Sequence, residues 1–224
     1  VGSDGSGKST LIPELQNACN EVFDNVSYNF GRPNFSLLLL PFWCIRAILP
    51  FARECLRIEK AKKATSVARQ RNTSMLGVVY HTALAYERKL LMNRASKAKS
   101  TGHLVLIDRC PTTQVHQMDG PKITGSGVFL NWLARNEASL YSNLPKADLA
   151  IRLEVDLIDV LNRNEKRVKL FKESKEEIED RFQKFQSYRP KASIEICIDA
   201  RNPEKKVLKD TISVISQFLC QARR

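Results

Sequence analysis

Short apolar runs alternate with long stretches of helical periodicity along this chain. The runs at 26–30, 104–108, 149–155 and 194–199 read VSYNF, LVLID, LAIRLEV and IEICID. They have strand length and are rich in β-branched and other apolar residues, whereas the segments between them carry apolar residues at three- and four-residue spacing. Strands alternating with helices predict βαβ units and a parallel sheet covered on both faces. A ligand of such a sheet sits at the carboxyl ends of its strands. Polar residues cluster there: Asp108-Arg109, Asp156, and Asp199-Ala200-Arg201-Asn202. The segment 36–51 (SLLLLPFWCIRAILPF) breaks the alternation. It is too short to span a bilayer and is interrupted by Pro41, Arg46 and Pro50. It suits a buried connection or helix pair over the sheet, or else a docking surface for a partner, a twin subunit or the membrane interface. A basic stretch follows, with Arg53, Arg57, Lys60, Lys62, Lys63, Arg69 and Arg71 offset only by Glu54 and Glu59.

The chain opens on Gly2-Ser3-Asp4-Gly5-Ser6-Gly7-Lys8-Ser9-Thr10, a complete G-x-x-x-x-G-K-S phosphate-binding loop. Its glycines let backbone N–H groups turn inward around di- and triphosphate oxygens. The helix predicted to follow, with Leu11, Leu15, Ala18 and Val22 on one face, points its positive end at the same anion. Ser3 through Thr10 are therefore the expected ATP-binding stretch. Lys8 would place a point charge on the β- and γ-phosphates, and the Ser9 hydroxyl would ligate Mg²⁺. Pro13 falls inside that helix and removes one backbone hydrogen bond. A loop of this kind hangs from a buried strand of about five or six residues. Only Val1 precedes Gly2, so the chain is expected to start inside its first strand.

Length suits one domain with a sizeable core, 224 residues in all. The formal charge of +12 calls for anionic partners or a strongly basic solvated surface. Apolar and cationic residues together make 36–72 the segment to test for anionic membrane or protein contact. The basic residues are not interleaved with aromatics along strands, so a nucleic-acid-binding module is not expected. The six cysteines form no C-x-x-C pair and do not group with His81, His103 or His116. They read as reduced thiols, not as a zinc site.

Two later blocks complete the candidate chemistry. Leu104-Val105-Leu106-Ile107-Asp108-Arg109 is an apolar strand delivering an acid and a base to the ligand edge. Asp108 there can order Mg²⁺ through its waters, and Arg109 can neutralise a phosphoryl group in transfer. After the run at 149–155 come Arg163, Lys166, Arg167, Lys169, Lys172 and Lys175, then Glu173, Glu176, Glu177, Glu179 and Asp180. The region 162–181 is expected to act as a lid, with Arg163 and Arg167 reaching the nucleotide, or else to be an exposed charged helix laced by i,i+4 pairs.

These blocks, in this order, resemble the thymidylate kinase family within the nucleoside and nucleoside-monophosphate kinases. The loop is similar to that family's G-x-D-G-[AS]-G-K-[ST]-T, and Leu104–Arg109 to its strand ending in Asp-Arg-Tyr. Arg88 lies twenty positions ahead of Asp108, where the family places an arginine for the acceptor phosphate. The resemblance implies a P-loop NTPase fold, a three-layer α/β/α domain with a five-stranded parallel sheet of order 2-3-1-4-5. It further implies that Asp4 meets the acceptor sugar, that Arg88 and Arg109 bind the acceptor, and that Asn202 and Pro203 meet the adenine edge. Cys110 stands where the family has an aromatic residue, and the loop 111–119 lacks the small-residue and Gln pattern that reads thymine. The expected activity is Mg²⁺-dependent transfer of the ATP γ-phosphoryl group to a nucleoside monophosphate or related small acceptor in the cytoplasm. A nucleoside kinase, whose acceptor is a hydroxyl, is the second reading. A nucleotide-binding switch or scaffold without a small-molecule acceptor is the third.

Overall fold

The computed structural model describes residues 1–3, 6–20, 23–31, 75–165 and 174–222. In chain order the described elements are α1 (Lys8–Asn20), β1 (Asn25–Tyr28), α2 (Met75–Ser100), β2 (Leu104–Ile107), α3 (Val128–Ser142), β3 (Ala147–Glu154), α4 (Leu157–Glu165), α5 (Lys175–Gln186), β4 (Ala192–Asp199) and α6 (Glu204–Ala222). The apolar and basic segment 36–72 lies outside the described residues, as do Asp4, Gly5, Val22 and Arg167. No helix among the described residues is long and apolar enough to cross a membrane.

The strands pair in parallel, but not as one sheet. β1 pairs with β2 from Asn25↔Leu104 to Tyr28↔Ile107, and β3 pairs with β4 from Ala147↔Ala192 to Glu154↔Asp199. The expected five-stranded sheet is thus corrected to two two-stranded parallel sheets among the described residues. Among the described residues Val1 and Gly2 add a single parallel bridge, Gly2↔Leu153. Leu153 N–H donates to the Val1 carbonyl at 2.8 Å, and the Val1 ammonium donates to the Ile151 carbonyl at 2.6 Å. Among the described residues these bonds attach the loop to β3. A largely apolar cavity of about 550 Å³ separates β2 from β3, with Leu104, Leu106, Leu149 and Ile151 among its walls.

Period-two alternation sorts the strand residues between layers. Leu104 and Leu106 of β2, with Leu149 and Ile151 of β3, pack against Leu15 and Cys19 of α1 and Ile215 of α6. Ile107 faces the other way, onto a core of Phe30, Ala85, Met92, Tyr141 and Leu144 that joins α2 to α3. A third core of Leu153, Val155, Val160, Ile178, Ile198, Ala200 and Val207 seats α4, α5 and the start of α6 on the β3–β4 pair. On the expected stripe of α1, Leu15 is buried while Leu11 and Ala18 are half-buried. Pro13 sits exposed within α1 and does not end it. α5 starts on a full capping box: Ser174 accepts from Glu177 N–H at 3.3 Å, and the Glu177 carboxylate accepts from Ser174 N–H at 3.1 Å. Arg152, buried on β3, donates to the Glu195 carboxylate and, at 2.7 Å, to the Tyr188 carbonyl, and stacks over Phe185 at 5.0 Å. It ties the end of α5 to the polar face of the strand pair.

Candidate active site

The glycine-rich loop closes tightly at its base. A Cβ at Gly2 would meet Ser6 Oγ at 2.3 Å and Ser6 Cβ at 3.0 Å, so Ser6 would have to shift to admit one. Gly7 takes φ +88°, the left-handed turn that aims the chain into α1, and its carbonyl accepts the Thr10 and Leu11 N–H groups at 3.1 and 3.0 Å. Lys8 reaches back across the turn: its Nζ donates to the Gly2 carbonyl at 2.6 Å, the Ser3 carbonyl at 2.7 Å and Ser6 Oγ at 3.3 Å. Its charge thus sits at the mouth of the loop. Ser3 Oγ is buried without a hydrogen-bond partner among the described residues, a polar atom at the same place. Ser9 and Thr10 lie exposed on the first turn of α1, where the helix dipole favours an anion.

A cavity of about 490 Å³ lies against this loop. Its walls include Ser6, Gly7 and Thr10 on one side and Arg163, Asn202 and Pro203 on the other. The loop after β4, singled out in the sequence for an adenine edge, therefore faces the phosphate loop across one space. Arg163 NH2 donates to the Ala200 carbonyl at 2.8 Å, so it also holds the 200–203 turn in position. Arg201 braces the same turn from outside, with bonds to Asp199 at 2.8 Å and Asp156 at 3.0 Å. These bonds hold the exposed Asp199 carboxyl down to about 2.

At the end of β2, Asp108 and Arg109 part company. Asp108 Oδ1 accepts the backbone N–H groups of Phe30 at 2.6 Å and Gly31 at 3.2 Å, which fixes the turn leaving β1. The predicted metal role therefore falls to Oδ2, which makes no hydrogen bond among the described residues. The Asp108 carboxylate and the exposed Ser9 hydroxyl are each hard oxygen donors of the kind Mg²⁺ takes. Arg109 runs across Gly31 so closely that a Cβ there would meet its Nε at 2.4 Å. Its NH1 lies against Met118 Sδ and 3.7 Å from Asp119 Oδ1.

Arg88 converges on the same carboxylate from α2. Its NH2 donates to Asp119 Oδ1 at 3.2 Å and its NH1 to the Tyr141 hydroxyl at 2.6 Å. Its guanidinium lies 4.6 Å over the Phe30 ring. Arg88 and Asp119 are only 6% and 5% exposed. Burial pushes the Asp119 carboxyl up, against the pull of Arg88 and Arg109; Asp108 and Lys8 are close enough to act on it as well. Five charged groups from four parts of the chain thus share one electrostatic neighbourhood: Lys8, Arg88, Asp108, Arg109 and Asp119. Glu137 on α3 supports it, accepting the N–H groups of Lys122 at 2.9 Å and Ile123 at 2.7 Å with Oε2.

Asp119 is the residue that sequence reasoning missed. Its one local signal is the step Asp119-Gly120-Pro121 directly downstream of β2, an acid inside a sharp turn. Gly120 is required there, because a Cβ would lie 2.2 Å from the Gln114 carbonyl oxygen. Tyr141 and Phe30 carried no signal beyond apolar periodicity. No family model and no curated protein matches this chain.

Proposed function

We propose that this chain is an ATP-dependent phosphotransferase that moves the γ-phosphoryl group to a nucleoside monophosphate, thymidylate-like, or to a related small acceptor. The observation that carries this reading is the cavity in which Ser6, Gly7 and Thr10 face Asn202 and Pro203. It offers a polyphosphate seat and an adenine-sized space in one enclosure. The loop's backbone N–H groups and the start of α1 would hold the donor phosphates. Lys8 would exchange its carbonyl partners for phosphate oxygens, and Arg109 would stabilise charge on the group in transfer. Ser9 and Asp108 would hold Mg²⁺, which neutralises and orients the phosphates when bound. Use of ATP fits a cytoplasmic protein, with 36–72 as the segment that would meet an anionic membrane or protein surface.

One observation favours the second reading, a hydroxyl acceptor of nucleoside type. Arg88, the residue a monophosphate acceptor would need, is buried and bonded to Tyr141 and Asp119. A panel of nucleosides and nucleoside monophosphates with labelled ATP and Mg²⁺ tests the proposal. ATP consumed only when one acceptor is added, and lost in Lys8→Ala with the fold intact, is the expected result. Undiminished turnover in Lys8→Ala, or ATP hydrolysis indifferent to every acceptor, would end it.

A further inference from the structure

The two arginines meant for an acceptor phosphate already hold an anion. We propose that Asp119 sets the acceptor class: its carboxylate fills the seat between Arg88 and Arg109 and receives a neutral hydroxyl through Oδ2, so that the site takes a nucleoside-like alcohol in preference to a phosphomonoester. The inference rests on the phosphotransferase reading above and, of its two acceptor classes, selects the second, a hydroxyl acceptor, over the monophosphate.

Three features of the cluster carry it. The first is commitment. Arg88 donates to Tyr141 and Asp119, lies over Phe30, and is almost wholly enclosed. A phosphate at NH1 or NH2 would have to displace these contacts, which leaves only the buried Nε without a partner among the described residues. The second is charge. A phosphomonoester carries about −1.5 to −2 at neutral pH, and between these arginines it would lie against the Asp119 carboxylate. Like charges at that range oppose one another strongly in a poorly hydrated site. A neutral hydroxyl meets no such opposition. The third is the state of the carboxylate. Asp119 Oδ1 takes the arginine contacts, while Oδ2 makes no hydrogen bond and is not sealed from solvent among the described residues.

The carboxylate is also held still. Thr112 N–H donates to the Asp119 carbonyl at 3.3 Å, Gly120 N–H donates to the Gln117 carbonyl at 3.1 Å, and Gly120 packs on the Gln114 carbonyl. It is therefore a fixed acceptor, not a swinging arm. In the step it serves, the acceptor hydroxyl oxygen forms a bond to the γ-phosphorus, and the bond from that phosphorus to the β,γ-bridging oxygen breaks. The bridging oxygen leaves with the electron pair on ADP. The hydroxyl proton passes to Asp119 Oδ2 and from there to solvent. Burial raises the proton affinity of the carboxylate, against the pull of Arg88 and Arg109, which strengthens it as a proton acceptor.

The test pairs each nucleoside with its 5′-monophosphate, under ATP and Mg²⁺, for the wild-type chain, Asp119→Asn and Asp119→Glu. Wild type should show kcat/KM at least about tenfold higher for the nucleoside. Asp119→Asn should lower nucleoside kcat by about 100-fold, the scale of general-base loss, and shift the preference toward the monophosphate. Asp119→Glu should restore part of the nucleoside rate. Inorganic phosphate at millimolar concentration should not compete with the nucleoside, a measurement that needs no variant. A wild-type preference for the monophosphate, competition by inorganic phosphate, or a folded Asp119→Asn protein that keeps its nucleoside kcat would each overturn the inference and leave the phosphotransferase standing. The phosphotransferase reading fails separately, and takes the inference with it, when no acceptor of either kind stimulates ATP consumption above the Lys8→Ala level.

Discussion

Replacing Arg88 by Met separates an arginine that builds the site from one that waits for a ligand. Met keeps the unbranched stem and removes the guanidinium. The change deletes the 3.2 Å contact to Asp119 and the 2.6 Å bond to the Tyr141 hydroxyl, and removes the cation from 4.6 Å above Phe30. Hydrogen bonds to charged groups contribute about 1.5–3 kcal/mol, a desolvated cation–π pair about 2 kcal/mol, and breaking a buried ion pair costs about 3–5 kcal/mol. These overlap and do not add, so the expected loss is about 3–5 kcal/mol near neutral pH. The loss should also depend on pH. Arg88 is the largest charge lowering the Asp119 carboxyl, which burial already raises. Without it the folded-state value rises further above that of the unfolded chain. An acid with a raised folded value loses stability as pH rises from the unfolded pKa, about 3.9, to the folded one. Arg88→Met should therefore suffer more at pH 8 than at pH 5. Urea denaturation at both pH values, within a cycle that adds Asp119→Asn, reads this directly. Asp119→Asn should cost less in the Arg88→Met background than in wild type. A loss under about 1 kcal/mol, coupled with a steep rise in acceptor KM, would refute the structural role and return Arg88 to phosphate binding.

Two further outcomes follow from the same neighbourhood. Gly31→Ala places a methyl group where Arg109 Nε now lies, at 2.4 Å; Arg109 is a flexible side chain and will swing away. Unfolding free energy should change by less than about 1 kcal/mol while kcat falls about tenfold or more, and unchanged turnover would show that the present Arg109 position is not needed. Burial, Lys122 and Arg88 hold His81 down to about 4, below the ordinary value of about 6.5. The unfolded chain then binds more protons between these values, so stability falls as pH drops through that window, by on the order of 2 kcal/mol after allowance for partial exposure. His81→Gln should flatten thermal stability between pH 6.5 and 4, and a variant as acid-sensitive as wild type would contradict this.

What the chain settles by itself is what short-range chemistry settles. Gly7 must turn with positive φ before Lys8 can open a helix, so the loop is visible in nine residues. The strands are visible because apolar runs of that length between polar turns have few other uses, and the cavity facing Asn202 and Pro203 follows from their place after the last strand. Tertiary structure alone decided the rest. Which strand Val1 and Gly2 join depends on partners about a hundred and fifty residues away, and among the described residues that strand is β3. Asp119 lies thirty-one positions from Arg88 and ten from Arg109, in a turn whose local pattern says nothing about charge. Only packing of α2 and α3 around Phe30 and Tyr141 brings both arginines to one carboxylate. A buried ion pair is made by the dielectric and geometry of the folded interior, and neither exists in a string of residues.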